Sequence, residues 1–598
     1  MVWWWTGLAL AGPAPRNVVV LYNGDVAESE AVALHYADAR PGARLCPVSV
    51  DPVPSDVDFA TFDALIRQPF DACVAGDAEI TTIVTVRGLP YRVVLPVGVA
   101  SLEAVLQVGH ATDASGADVA AGGQQLYNAY LPFATVPNPE FFPGFAQYGD
   151  FTITNPYQGS YMATAGVIRA ADLPDAFERS AAGSAGGVDF AGELYLVGRL
   201  DGFDYADAEA LVDRAIAAES SPPTAPMLCM LGADEARGAR DPECELATRM
   251  LAGAGIANEW VPAFESALSG RDLMAWISGA ADARGAIDGN TYAPGAIVDN
   301  LTSYGAYPSN FVCSEDGLTC PASENQTSIA RWVRAGATLV HGTVEEPLNN
   351  SFPNASVLLF YAAGYSAGES WLFAQPYLHW QNLWLGDPLT TPYQSRPIVT
   401  VSDQAVEGED LVVTATHPEG IATIRLWIDG VEVASGRGDT LATPAPARGE
   451  HTIYAEAQSA NATWEHPGWP VATSTIHART PGWTTVMVDV VAEPTDTASP
   501  AADPEKEEPG GCGCDQAAYP SGGWGVLLSL LLASLVRHRI GYTRVCTSSS
   551  CSPAHLRPRK ETPRFRTRRP PFATWRSSKR SRSRSGGTAP TSRTATRR

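Results

Sequence analysis

The sequence predicts an α/β body followed by a small all-β domain, and three observations carry that reading. Near-continuous apolar runs such as NVVVLY at 17–22 and ITTIVTV at 80–86 are separated by helical stretches, the pattern of parallel strands covered by helices on both faces. After position 396 the runs become short and alternating, from IVTVSDQ to TTVMVDVV, as in sheets with one wet face. At 598 residues the chain exceeds one ordinary core, so more than one folded unit is expected.

In order, residues 1–14 read as an export signal: the run VWWWTGLALAG, without the usual basic start, followed by small residues and prolines. The α/β body spans 17–393. Its first strand, 17–22, ends at Asn23-Gly24-Asp25 and leads into the helical stretch ESEAVALHYADARPG, stopped by Pro41-Gly42. A strand at 44–50, a helix through 59–66 and the strand at 80–86 follow, the last ending at Arg87-Gly88. Residues 101–187 are irregular, rich in Gly, Ala, Pro and aromatics. Further units pair a strand at 193–197 with a helix at 206–219, a strand at 226–231 with a helix to 254, and a strand at 256–262 with a helix around 269–277. Strands then end at Asn300 and His341, a helix covers 356–364, and the body closes on NLWLGDPLTTP.

Residues 396–491 hold six or seven short strands with Asp429-Gly430 as a hairpin turn. That density fits an immunoglobulin-like or fibronectin-like β-sandwich. Residues 493–511 form an acidic linker rich in Pro, Thr and Ser that cannot bury enough surface to fold.

Charge divides the chain. Of 41 Lys and Arg, 18 fall after position 536 against one of the 65 acids, leaving 23 bases and 64 acids before it. The body is therefore near −41 and the tail near +17. So acidic a body repels phosphate backbones, which excludes nucleic acid as its partner. Six cysteines, Cys46, Cys73, Cys229, Cys244, Cys313 and Cys320, lie in the body as three neighbouring pairs with no CxxC pattern. They read as three local disulfides, Cys313 with Cys320 foremost, and hence an oxidising compartment.

At the C-terminal end, Gly511-Cys512-Gly513-Cys514 precedes the apolar run 524–536 and Arg537-His538-Arg539. Linker, cysteine motif, apolar segment and basic stop at 512–539 together resemble the Gly-Cys type C-terminal sorting domain of myxobacterial surface proteins. The resemblance implies export, recognition of Cys512 and Cys514 by sorting and anchoring machinery, and a hold on the membrane through this segment. The 59 residues that come after it, 540–598, are basic and of low complexity and are expected to be disordered, as from a shifted reading frame.

The body itself resembles a family of exported bacterial proteins from genomes with exosortase-type sorting systems. The matching pieces are the opening strand with Asn23, Ser29 and YADARPG, then VTVRGLPYRV, GRLDG, PGAIVDNLTSYGA, RAGATLVHGTVEEP and LGDPLTTP. That family is in turn distantly similar to gingipain and caspase folds, in which a His-Gly and a Cys at adjacent strand ends form a peptidase dyad. Here His341-Gly342 matches the first half, and no later cysteine supplies the second.

The remaining candidate chemistry gathers at strand ends. Ser303 in DNLTSYG, His341 in VHG and Glu345 with Glu346 would make a serine hydrolase if the strands ending at Asn300 and His341 are neighbours, with Asp299 or Glu345 orienting the imidazole. Ser303 lies in no GxSxG elbow. Asn23, Asp25, Arg87, Arg199 and Asp201 would form a charged binding rim, or serve as turn and capping residues. HxH, HExxH, paired CxxC, GxGxxG and Walker A patterns are missing, so neither metal nor cofactor is expected. The expectation is an exported surface protein that binds an extracellular protein or polymer, with a Ser303/His341 hydrolase as the alternative.

Overall fold

The computed structural model describes residues 12–492 apart from 76, 97, 110–111, 114–115, 123–179, 186–187, 313–325, 376–377, 403, 461–462, 466–474 and 478–479. The export signal to residue 11, the linker, the sorting motif with Cys512 and Cys514, the apolar run and the basic tail lie outside the described residues, as does the Cys313/Cys320 pair. Among the described residues no helix is long and apolar enough to cross a membrane.

Ten strands build one sheet: β1 (Val18–Asn23), β2 (Arg44–Val48), β3 (Thr82–Val86), β4 (Leu196–Leu200), β5 (Met227–Met230), β6 (Asn258–Val261), β7 (Asp272–Ser278), β8 (Thr291–Asn300), β9 (Leu339–Thr343) and β10 (Asn382–Leu385). Their order is β6-β5-β7-β8-β9-β10-β4-β3-β1-β2. All pairs are parallel except β9 with β10. Because that one pair is reversed, β5–β9 run one way and β1–β4 with β10 the other. The halves meet at the β9–β10 pair, and a single bridge, Arg199 with Leu385, joins β10 to β4.

The helices that cover the two faces of this sheet include α1 (Ala27–Ala39), α2 (Leu102–Val108), α3 (Tyr205–Ala218), α4 (Asp241–Gly253), α5 (Ile329–Arg334), α6 (Val357–Ala362) and α7 (Ala367–Ala374). Alternate residues of one strand enter different cores. Val18 and Val20 of β1 pack with α1 and α3, whereas Val19 and Leu21 pack with α2 and the helical run 59–74. Likewise Met227 and Cys229 of β5 meet α4, α6 and α7, and Leu228 and Met230 face the opposite side with α5. The expected parallel sheet with helices on both faces is thus observed.

Two expected elements differ. Residues around 269–277 form strand β7 and not a helix. Leu, Met and Ala favour helix, but DLMAWIS lies between β5 and β8, buried on both faces, and tertiary burial overrides propensity. The GRL of GRLDG lies inside β4, so Arg199 is a strand residue whose side chain is fully buried.

The disulfide Cys46–Cys73 ties β2 to the helix behind it across 27 residues. Closing a loop of that length is worth roughly 3–4 kcal/mol. Cys73→Ser should lower stability by about that amount in a urea titration, and the same loss should attend reduction of the wild type. Cys229 and Cys244, by contrast, are buried free thiols, against the expectation of a disulfide there. They lie on β5 and α4 within one apolar core and are not covalently joined.

Beyond residue 396 a five-stranded and a three-stranded sheet enclose a separate apolar core of Leu411, Val413, Ile424, Leu426, Ile453 and Val488. The strand Asp410–Thr416 buries every second residue. Asp429 and Gly430, with φ of 50° and 81°, form the hairpin turn between the paired strands Ile421–Ile428 and Val431–Arg437. Arg396 anchors this unit to the body: its guanidinium lies 4.2 Å from the Trp483 ring centroid and 3.4 Å from Glu219 at the end of α3.

Candidate functional site

The reversed β9–β10 junction puts His341 in the middle of the sheet, paired with Asp299 on β8 and Trp384 on β10. His341 is completely buried. Its Nδ1 sits 3.0 Å from Asp299 Oδ1 and its Nε2 3.0 Å from Asn382 Oδ1. Phe352 and Trp384 close the ring in, with centroids at 5.2 Å and 4.6 Å.

Asp299 is held in turn by Arg240, the residue that opens α4. The guanidinium also donates to the carbonyls of Pro353 at 3.0 Å and Ser278 at 3.2 Å. Burial alone would raise the Asp299 carboxyl; Arg240 and His341 outweigh it and hold the group below the usual carboxylate range. One helical turn on, burial pushes Glu243 up to about 7 despite Arg240 beside it.

Ser303 is brought to the same sheet edge but not to the imidazole. Its hydroxyl donates to Glu346 Oε1 at 2.7 Å on the surface, while His341 has both nitrogens occupied inside. Glu345 is taken by Arg92 at 2.7 Å, and Arg92 also binds Asp56 at 2.5 Å. The expected Ser303/His341/Glu345 triad is therefore divided, and of the two carboxylates considered as the partner of His341 it is Asp299 that fills the place. Tyr304 beside Ser303 adopts φ of 57° and packs edge-on against Tyr307 at 5.6 Å, with Arg92 4.6 Å from the Tyr307 ring. A left-handed tyrosine costs of order 1 kcal/mol or more and persists only where neighbours fix it.

The rim residues divide as well. Arg87, Arg199 and Asp201 converge: Asp201 accepts from Arg87 at 2.7 Å and from Arg199 at 2.8 Å. Arg199 also binds Glu103 on α2 at 3.0 Å and the carbonyls of Leu89 and Pro90, under the Tyr91 ring at 4.2 Å. With Arg199 and Asp201 at zero exposure, this cluster pins the 87–91 turn and offers no open crevice. Asn23 is a turn residue, donating to Val50 O and Gly88 O, both at 2.9 Å. Asp25 accepts from Ser49 at 2.5 Å on the surface. β1, β3 and β4 run opposite to β8 and β9, yet the 87–92 turn reaches across: Tyr91, under which Arg199 lies, stacks on Phe311 at 4.6 Å, and Arg92 binds Glu345.

Sequence reading missed Arg240, Glu243 and Asn382. Arg240 and Asn382 reach the site from 59 and 41 residues away, and only GARDP, a proline-led helix start, marked Arg240 at all. Among the described residues no group of His, Cys, Asp and Glu is placed to hold a metal.

Glu243 and Glu456 give the fold a defined pH response. Burial raises each to about 7; Arg425 opposes the shift at Glu456 and Glu79 adds to it. A carboxyl whose folded value exceeds its unfolded one near 4.5 binds its proton more tightly when folded. Its contribution is complete below the unfolded value and lost as pH rises through the folded one. The urea midpoint should therefore fall between about pH 5 and about pH 8, and the fall should shrink in Glu243→Gln and Glu456→Gln variants.

The fold and site thus define an α/β protein with a buried Arg-Asp-His-Asn network and an attached all-β unit. No family model and no curated protein matches the chain. Among solved structures it is similar to one described as a protease, at 11% identity and a TM-score of 0.38, over 79% of this chain and 97% of that one. Fibronectin(III)-like modules of Clostridium thermocellum CbhA align at 16% identity and TM-score 0.12, over 20% of this chain and 54% of theirs. A putative membrane anchored protein from Corynebacterium diphtheriae aligns at 14% and 0.12, over 21% and 26%. Likeness this distant carries no functional argument.

Proposed function

We propose that this chain is an exported, surface-held protein that binds an extracellular protein or polymer and does not use His341 as a catalyst. The observation that carries the second half is the imidazole itself. A general base needs a ring nitrogen open toward its nucleophile, and both nitrogens of His341 are engaged in a fully buried site. The described cysteines offer no nucleophile in its place: Cys46 and Cys73 are bonded to each other, and Cys229 and Cys244 are buried, with burial pushing the Cys244 thiol well up.

Support for export comes from the Cys46–Cys73 disulfide, which suits an oxidising compartment, and from the sorting-type pattern around Cys512 and Cys514. The strand order β6-β5-β7-β8-β9 with β10 reversed supports a body of caspase or gingipain type whose dyad lacks its cysteine. The two-sheet unit is read as the immunoglobulin-like or fibronectin-like spacer of such a protein. Binding is assigned to the outer side of the β8–β9 edge, where half-buried Tyr304 and Tyr307 and exposed Glu346 lie together.

Fluorophosphonate and peptide-ester probes should leave the wild-type chain unlabelled, and Ser303→Ala should change its stability by less than about 0.5 kcal/mol. Labelling that disappears in Ser303→Ala would establish the hydrolase instead. Tyr304→Ala should reduce retention of the purified chain on isolated cell-envelope material.

A further inference from the structure

We propose that the contact between the all-β unit and the body is a pH-responsive joint, which protonated Glu456 keeps closed and which loosens when Glu456 releases its proton to solvent. One face of the five-stranded sheet makes this contact. Arg425 on the strand Ile421–Ile428 stands opposite Glu456 on Gly449–Ser459, and Glu456 stands opposite Trp483 on Pro481–Val491. Two residues along, Trp427 stands opposite Tyr454. Antiparallel sheets commonly turn such a face to water, yet Trp427, Tyr454 and Glu456 are only 2%, 5% and 6% exposed.

The body covers them. Arg16 holds its guanidinium 4.4 Å from the Trp427 ring and 5.8 Å from the Tyr454 ring. Gly42, with φ of 107°, lies so near Tyr454 that a Cβ there would stand 3.1 Å from the ring. Glu79, shortly before β3, forms an ion pair with Arg425. That guanidinium is shared, since it also binds Glu432 at 2.5 Å.

Glu456 is left without a cation of its own. Among the described residues no cation lies within ion-pair distance of it, and its side chain accepts from the Tyr454 hydroxyl at 3.4 Å. The groups that face it are Tyr454 on its own strand, Arg425 on one neighbouring strand, uncharged Trp483 beneath Arg396 on the other, and Glu79 and Arg16 from the body. If Glu456 ionises, three carboxylates with Glu79 and Glu432 stand against the two guanidinium groups of Arg425 and Arg16; protonated, it leaves the contact balanced at two against two. A buried carboxylate with no dedicated cation is costly, so the closed joint favours the acid form.

The sign follows. Burial, with Arg425 opposing and Glu79 adding, puts the Glu456 carboxyl at about 7 in the closed joint, and in water it returns to near 4.5. The contribution of Glu456 to closure is therefore complete below the open-state value and lost as pH rises through the closed-state one.

The test is hydroxyl-radical footprinting of the purified full chain, read by mass spectrometry at Trp427 and Tyr454 between about pH 5.5 and about pH 8.5. Linkage from near 4.5 to about 7 lets opening, and with it oxidation of both residues, rise by up to about 30-fold across that range in the wild type. In Glu456→Gln the carboxamide still accepts from Tyr454 and carries no charge, so oxidation should stay level. Trp276 and Trp332, buried in the body, report unfolding and should stay protected throughout. Glu243→Gln, which alters the other carboxyl raised to about 7, should leave the rise at the joint intact. No rise at Trp427 and Tyr454 in the wild type overturns the inference, as does an equal rise in Glu456→Gln, or a rise at Trp276 and Trp332 that keeps pace. The first and last of these need only the wild-type chain, so the inference can fail even where a variant does not fold.

Discussion

Asp299→Ala should lower the stability of the body by about 3–5 kcal/mol, the cost of breaking a buried ionic network by removing one member. Asp299 has no exposure, accepts from His341 at 3.0 Å, and is the carboxylate partner of Arg240, which is itself buried. Without it the guanidinium keeps its bonds to the backbone carbonyls of Pro353, Ser278 and residue 299 but loses its charged hydrogen-bond partner. Urea unfolding of Asp299→Ala checks the magnitude. The double variant Asp299→Ala with Arg240→Met should recover part of the loss, because it removes the stranded charge together with its partner. A loss under about 1 kcal/mol would mean that water reaches this network and that His341 is more accessible than its burial implies.

That result bears directly on function. If His341 is structural, His341→Ala should cost stability and change no reactivity, since Phe352 and Trp384 would lose the ring they enclose. A catalyst would show the reverse balance. The same burial keeps the imidazole from the Ser303 hydroxyl, which donates to Glu346 at the surface.

Much of the fold was legible in the sequence, and the limits have physical causes. Apolar runs announced β1, β3 and β5, since strands buried on both faces need little else. Asp429-Gly430 announced its hairpin because both positions need positive φ. The proximity of Asp299 and His341 came from treating their strands as neighbours, which they are. What periodicity could not supply was direction. The reversal at β9–β10 sends the two halves of the sheet opposite ways, so Arg199 and His341 lie on strands of opposite direction. Nor could it show that Arg199 lies within a strand: a buried arginine is tolerated only because Asp201 and Glu103 meet it there, one of them 96 residues away.

The joint between the two folded units carries the second large effect. Arg40→Met should cost about 3–5 kcal/mol, since it strands the buried Asp387 carboxylate and leaves part-buried Glu219 to Arg396. Arg40 donates to Asp387 at 2.9 Å through Nε and to Glu219 at 2.6 Å and 2.9 Å through its terminal nitrogens. Asp387 is completely buried and also accepts from the Tyr36 hydroxyl at 2.8 Å. Burial would raise the Glu219 carboxyl, but Arg396 and Arg40 reverse the sign and hold it below the usual range. Arg396 is shared: it donates to Pro481 O at 3.0 Å and stacks on Trp483 in the all-β unit while neutralising Glu219 in the body. Loss of Arg40 should therefore do more than lower the unfolding midpoint. It should shift Arg396 toward Asp387 and Glu219, loosen its hold on Trp483, and increase protease cutting near residues 394–398. Restoring neutrality with Asp387→Asn in the Arg40→Met background should regain part of the stability, because the carboxamide can still accept from Tyr36. If Arg40→Met unfolds at the wild-type urea concentration and shows no new cleavage, the two units are held by their apolar contacts and the ionic joint is incidental.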